Sequence, residues 1–112
     1  MTTISEVCNK YGVSQDTLRY YERIELIPKI KRNSGGFREY SENDCVWIAT
    51  VKRMRTAGMP IEKLVQYMSL LHQGNETINL RKELLIEQRD LLSARIAELQ
   101  DCLEYLIWEI EA

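Results

Sequence analysis

The run Val13-Ser14-Gln15-Asp16-Thr17-Leu18-Arg19-Tyr20-Tyr21-Glu22 sets the architecture of this chain. Ser14 is placed to cap a helix from Gln15 to about Ile24, with Leu18 and Tyr21 directed inward. Upstream, Thr3-x-x-Glu6 is a capping box, in which each side chain can satisfy an unpaired amide at a helix start. Ile4, Val7, Cys8 and Tyr11 then fall at i, i+3, i+4 and i+7, giving that helix one apolar face. Gly12 stands where a left-handed C-cap is wanted. Two short helices around a Gly-containing turn predict a helix-turn-helix.

Downstream, Leu26-Ile27-Pro28 ends the helical pattern. Lys29-Ile30-Lys31-Arg32 and Phe37-Arg38-Glu39-Tyr40 are extended runs around Asn33-Ser34-Gly35-Gly36, the pattern of a small hairpin. A two-stranded hairpin is marginal alone, so it must lean on the helices. Ser41-x-x-Asp44 opens a third helix through Val46, Trp47, Ile48, Val51 and Met54, with a stop near Gly58. Pro60 stands at the first turn of a fourth, carrying Ile61, Leu64, Val65, Met68 and Leu71 and stopping at Gly74.

Thr77 to Ala112 holds no Gly and no Pro, so these residues can form one helix of roughly 54 Å. Ile78, Leu85, Leu92, Leu99 and Leu106 repeat every seven positions, and the row four residues on is Lys82, Arg89, Ile96, Leu103 and Ile110. This is a heptad seam, polar in its first half and apolar in its second. So small a head cannot cover it, and a second copy of the chain is expected to, with Leu85, Leu92, Ile96, Leu99, Leu103, Leu106 and Ile110 in the interface. Residues 96–112 carry five acidic and no basic side chains. An antiparallel pair keeps those ends apart, an effect that is small and screened. The expected division is a helix-turn-helix head over 1–74 and a dimerisation helix over 75–112.

The 112 residues have room for one compact domain and one long accessory element. With 45% hydrophobic and 29% charged residues the composition is that of a soluble globular protein. No run of about 18 uncharged apolar residues offers a membrane span, so no membrane partner is expected. Met1-Thr2-Thr3-Ile4-Ser5-Glu6 has neither a basic start nor an apolar core, so no secretory signal is read and a cytoplasmic location is expected. Cys8, Cys45 and Cys102 are scattered without a Cys-x-x-Cys pair, which fits a reducing compartment. The net charge of -2 conceals an asymmetry: 11 basic against 8 acidic residues over 1–74, and 4 against 9 over 75–112. A local basic face, not the whole-chain charge, decides whether a polyanion can bind. An enzyme is not expected, since no Gly-rich phosphate loop, paired catalytic carboxylates or Cys/His arrangement occurs.

Ser14, Gln15, Thr17, Arg19, Tyr20 and Tyr21 put hydroxyl, amide, guanidinium and phenol groups on a helix whose N-terminus attracts anions. Arg19 can read guanine bidentately or grip a phosphate, and Thr17 and Tyr20 suit phosphate oxygens. Spacing alone leaves a merely solvated helix face equally open. Lys31, Arg32 and Arg38 around the Gly-Gly tip shift the balance towards DNA.

Thr3-Ile4-Ser5-Glu6-Val7, Val13-Ser14-x-x-Thr17-Leu18-Arg19-Tyr20-Tyr21-Glu22, Leu26-Ile27-Pro28, Gly36-Phe37-Arg38-x-Tyr40-Ser41 and Met54-Arg55-x-Ala57-Gly58 together resemble the MerR family of bacterial transcription regulators, over about residues 2–74. The resemblance implies a mainly α fold: a winged helix-turn-helix head with a small β-hairpin wing, followed by a long dimerisation helix in an antiparallel coiled coil. It places the helix from Ser14 to Ile24 in the major groove, with Thr17, Arg19, Tyr20 and Tyr21 on the recognition motif. Lys31, Arg32, Gly36, Phe37, Arg38 and Tyr40 match the wing. It further implies a homodimer on a pseudo-palindromic promoter site, whose bending and untwisting lets RNA polymerase engage both promoter elements. Arg53 and Arg55 are candidates for additional phosphate contacts.

The signal is not legible in the same way. Metal-sensing members of the family carry a cysteine near the start of the dimerisation helix, where this chain reads Thr77-Ile78-Asn79, so no metal and no other cofactor is expected. A short form without a C-terminal effector domain is expected. The branch that responds to aldehyde or nitrosative stress has a cysteine just before the Met-Arg pair of the third helix, where Arg53 stands here. Cys8 and Cys45 fall on inward positions, and Cys102 borders the seam. His72 reads as a surface or cap residue, and Tyr105 with Trp108 as interface packing or an aromatic pocket. The competing function is an architectural or protein-interaction module with the same head and coiled coil but no promoter switch.

Overall fold

The computed structural model describes residues 2–112. The helices are α1 (Ile4–Tyr11), α2 (Gln15–Arg23), α3 (Glu42–Thr56), α4 (Ile61–His72) and α5 (Ile78–Glu111), with one 3-10 turn at Asn75–Thr77. The local signals explain the starts. Thr3 accepts from the Glu6 amide while the Glu6 carboxylate accepts from the Thr3 amide, and Ser41 and Asp44 repeat the arrangement at α3. Ser14 caps α2 by accepting from the Thr17 amide at 3.0 Å. Gly12, at φ 66°, closes α1 in the left-handed conformation.

The end of α2 carries no such signal, yet it is a full left-handed stop. The Leu26 amide reaches the Tyr21 carbonyl at 2.9 Å and the Glu25 amide the Glu22 carbonyl at 3.1 Å, with Glu25 itself at φ 61°. Glycine ordinarily occupies this position, because a Cβ there is strained by about 1–2 kcal/mol.

The hairpin is briefer than two strands. The Asn33 amide donates to the Phe37 carbonyl and the Glu39 amide to the Lys31 carbonyl, both at 2.8 Å, around an Arg32–Arg38 pair. Asn33 Oδ1 holds the tip by accepting from the Gly35 and Phe37 amides, and Gly36 takes φ 82°. A second pairing, Thr2 with Tyr40, ties the start of the chain to the base of the hairpin.

Val7, Leu18, Leu26, Ile27, Ile30, Tyr40, Ile48, Val51, Met59, Leu64, Tyr67 and Met68 form one core drawn from all four head helices and the hairpin. Val46, expected among the apolar residues of α3, is instead exposed at 56%. It falls on the solvent side of a helix whose inward row is Ile48 and Val51.

α5 does not simply hang from the head. Thr77 is buried; its Oγ1 lies 2.6 Å from the Leu70 carbonyl and 2.8 Å from that of Gly74, and accepts from Arg81 Nε at 3.0 Å. Gln88 Nε2 donates to the Ala57 carbonyl at 2.9 Å, and Leu84 and Leu85 pack on the core. Arg81, Leu84, Leu85 and Gln88 are spaced i, i+3, i+4, i+7, so they make one helical face turned to the head. Leu85, expected on the seam, is half-buried and packs against its own head. Beyond it, Leu92, Ile96, Leu99, Leu103, Leu106 and Ile110 are all exposed, Ile110 at 83%. The molecule measures 66 × 36 × 20 Å, the long dimension coming from α5.

Relief of the strain at Glu25 gives the first prediction. Glu25→Gly should raise unfolding stability by up to about 1 kcal/mol in urea titration, the left-handed cost less the extra chain entropy of glycine. A loss of stability would show that Glu25 makes a compensating contact.

Candidate nucleic-acid interface

α2 presents its polar face from a firm base: Leu18 is fully buried and Tyr21 packs half-buried on the core. Arg19 lies along the helix, Nη1 3.3 Å from Asp16 Oδ1 and Nη2 3.1 Å from Gln15 Oε1, with its side chain 46% exposed. Exposed pairs of this kind contribute little, so the guanidinium is oriented and remains available to an anion. Ser14 and Thr17 bond to each other at the helix start, through Ser14 Oγ and Thr17 Oγ1 at 2.8 Å. Tyr20 is exposed, and the Arg23 guanidinium lies 5.4 Å above its ring.

The hairpin is fastened to α2 by one ion pair. Arg38 Nε donates to Glu22 Oε1 at 2.9 Å, and neither side chain is more than 19% exposed. Arg32 Nη1 folds across the tip to the Gly36 carbonyl at 2.8 Å, Lys31 is exposed, and Phe37 projects at 73% exposure. As a result Gln15 and Arg19 from α2 share one cleft of about 680 Å³ with Arg32, Gly36, Phe37 and Arg38 from the hairpin. Thr2, Thr3, Ile4 and Ser5, with Asn33 and Glu39 of the hairpin, form its remaining wall. Ser14, Thr17, Tyr20 and Lys31 do not line it.

Two of the expected contact residues have other work. Tyr40 is 1% exposed and belongs to the core, because it lies on the face opposite Glu39 and its backbone pairs with Thr2. Tyr21 turns its ring towards the core from the inner side of α2. Glu22, Asn33 and Thr77 carry contacts that residue types alone did not mark out. Glu22 stands inside the quoted motif, but its partner is sixteen residues away.

Burial pushes the Cys8 thiol up, against the opposing pull of Arg19, so Cys8 stays protonated at neutral pH and is a poor nucleophile. Burial likewise raises the Tyr40 phenol. His72 sits edge-on to Trp47 with ring centroids 5.0 Å apart. Among the described residues, no group of three or more His, Cys, Asp or Glu is arranged to hold a metal ion, and no helix is long and apolar enough to cross a membrane.

Residues 2–71 match the family model of the MerR HTH family regulatory protein, and residues 46–108 match that of MerR, DNA binding. The chain belongs to the MerR family. It is 44% identical over 89 residues to the HTH-type transcriptional regulator AdhR of Bacillus subtilis, covering 80% of this chain and 64% of that protein. It therefore spans just under two thirds of that relative's length. The HTH-type transcriptional regulator ZntR of Escherichia coli is 32% identical over 101 residues, covering 89% of this chain and 72% of that one. Among solved structures, a MerR family transcriptional regulator from Listeria monocytogenes superposes with TM-score 0.88 at 44% identity, covering 98% of this chain and 83% of that chain. HiNmlR, a MerR family regulator lacking the sensor domain and bound to promoter DNA, superposes with TM-score 0.83 at 27% identity, covering 92% and 78%. This head is thus a MerR-type winged helix-turn-helix, with the residue 31–40 hairpin as the wing.

The ion pair makes the wing's attachment testable. Glu22→Gln should loosen the wing without melting the head, seen as faster hydrogen exchange at the Asn33 and Glu39 amides while the Val7 and Leu18 amides keep their protection. Unchanged exchange at Asn33 and Glu39 would show that backbone pairing alone holds the wing.

Proposed function

We propose that the chain acts as a homodimeric, MerR-type transcription regulator on a pseudo-palindromic promoter site in the cytoplasm. Residues 1–74 read DNA and residues 75–112 pair the two copies in an antiparallel coiled coil. The observation that carries this reading is the cleft in which Gln15 and Arg19 meet the wing residues Arg32, Gly36, Phe37 and Arg38, on a head joined rigidly to an uncovered apolar seam. α2 enters the major groove, Arg19 reads a base edge or grips a phosphate, and the wing follows the backbone. Two heads fixed to one coiled coil impose their own spacing on the duplex. Bending and untwisting its centre costs several kcal/mol, which backbone contacts on both arms offset. The deformed promoter aligns its two elements for RNA polymerase. Promoter DNA in the HiNmlR structure supports the DNA partner over a protein-interaction module.

Arg19→Ala should weaken binding to the specific site by about 1–3 kcal/mol and to random duplex by much less, measured by fluorescence anisotropy at fixed salt. Equal losses on both would reduce Arg19 to a phosphate contact. Replacing Leu99 and Leu103 together by Glu should give a folded monomer in sedimentation equilibrium with poor operator affinity. A double variant that stays dimeric would remove the seam from the interface.

A further inference from the structure

A second cleft, of about 650 Å³, adjoins the first and shares Arg19 and Arg38 with it. Its other walls come from the C-terminal end of α2, the segment after it, and the last turn of α4, which contributes Ser69 and His72. Of its charged residues, Glu22 and Arg38 neutralise each other, and Arg19 is oriented by Asp16 and Gln15. Arg23 and Lys29 are different: among the described residues neither makes an ion pair or a side-chain hydrogen bond, and Arg23 has only the Tyr20 ring beneath it. A planar guanidinium and an ammonium with all their donors unused therefore face one cleft beside a hydroxyl and an imidazole.

Several carbonyls at the helix ends that border the cleft are already engaged. On α4, Leu70 O accepts from Thr77 and Gln73 and Leu71 O from Gly74; on α2, Tyr20, Tyr21 and Glu22 carbonyls accept from Ile24, Leu26 and Glu25. One negative group opposes the cations, Glu25, held on the cleft wall by its left-handed backbone.

We propose that this cleft is a phosphate site outside the recognition motif, with Arg23 and Lys29 gripping the anion and Ser69 and His72 donating to it. A phosphate group can reach it as part of the DNA backbone or as part of a small phosphorylated molecule. The first source rests on the DNA-binding reading above; the second does not. Because Arg19 and Arg38 wall both clefts, either occupant is coupled directly to the groups that read DNA and hold the wing.

The test has two arms on the full chain, with thermal melting to show that each variant is folded. In the first, pyrophosphate is titrated at constant ionic strength while the Ser69 and His72 amides are followed by NMR. Saturable shifts are expected in the wild type, lost in Arg23→Ala/Lys29→Ala and reached at lower pyrophosphate in Glu25→Gln. Absent shifts, or equal shifts in the double variant, overturn the site. The second arm measures the salt dependence of duplex binding. With the DNA backbone as occupant, the double variant lowers the slope of log K against log salt by up to about 2. An unchanged slope with pyrophosphate binding intact in the wild type assigns the site to a free phosphorylated molecule. The first arm contains no DNA, so a wild type that binds no duplex defeats the regulator reading and still leaves the cleft's own result legible.

Discussion

In the proposed dimer, two heads can impose a fixed separation on DNA only if each is firmly joined to its own long helix, and the contacts centred on Thr77 make that joint. One hydroxyl is shared between the carbonyls of Leu70 and Gly74 while accepting from Arg81, inside a turn that would otherwise be a flexible link. Eleven residues further on, Gln88 is bonded to the Ala57 carbonyl at the turn between α3 and α4. Between these points Leu84 and Leu85 continue the head's core. The first three turns of α5 therefore pack with the head, while the seam residues from Leu92 to Ile110 stay exposed.

The same economy appears at the other end of the head. Glu22 stands on the recognition helix and its partner Arg38 on the wing, so these two elements are positioned against each other by one partly buried pair. Tyr40 anchors the wing's base in the core, and Asn33 shapes its tip. The exposed candidate groups, Arg19, Arg32 and Phe37, line one cleft between these fixed points.

Elements with local causes were legible before any coordinates. The capping boxes at Thr3 and Ser41, the stop at Gly12 and the uninterrupted run after Thr77 each depend on residues within one or two turns, and each appears where the chain signals it. The stop at Glu25 was hidden, since a left-handed glutamate is recognised only from its φ. Tyr40 matched the wing by position, but burial depends on which way an alternating segment faces, and pairing with Thr2 turns it inward. Leu85 fits the heptad row as well as Leu92 does. What separates them is a face formed by Arg81, Leu84, Leu85 and Gln88 against a head some thirty residues earlier in sequence. Of the interface, single contact residues were visible from type and spacing; the Glu22–Arg38 pair, sixteen residues apart, was not.

In the proposed regulator, two heads on one seam grip two half-sites and deform the DNA between them. Hydroxyl-radical footprinting of the wild-type protein on the promoter region flanking its own gene addresses this most directly. Two protected patches related by a two-fold axis, with heightened cleavage at the unstacked centre, are expected. A single patch, or protection spread evenly without a reactive centre, would contradict it.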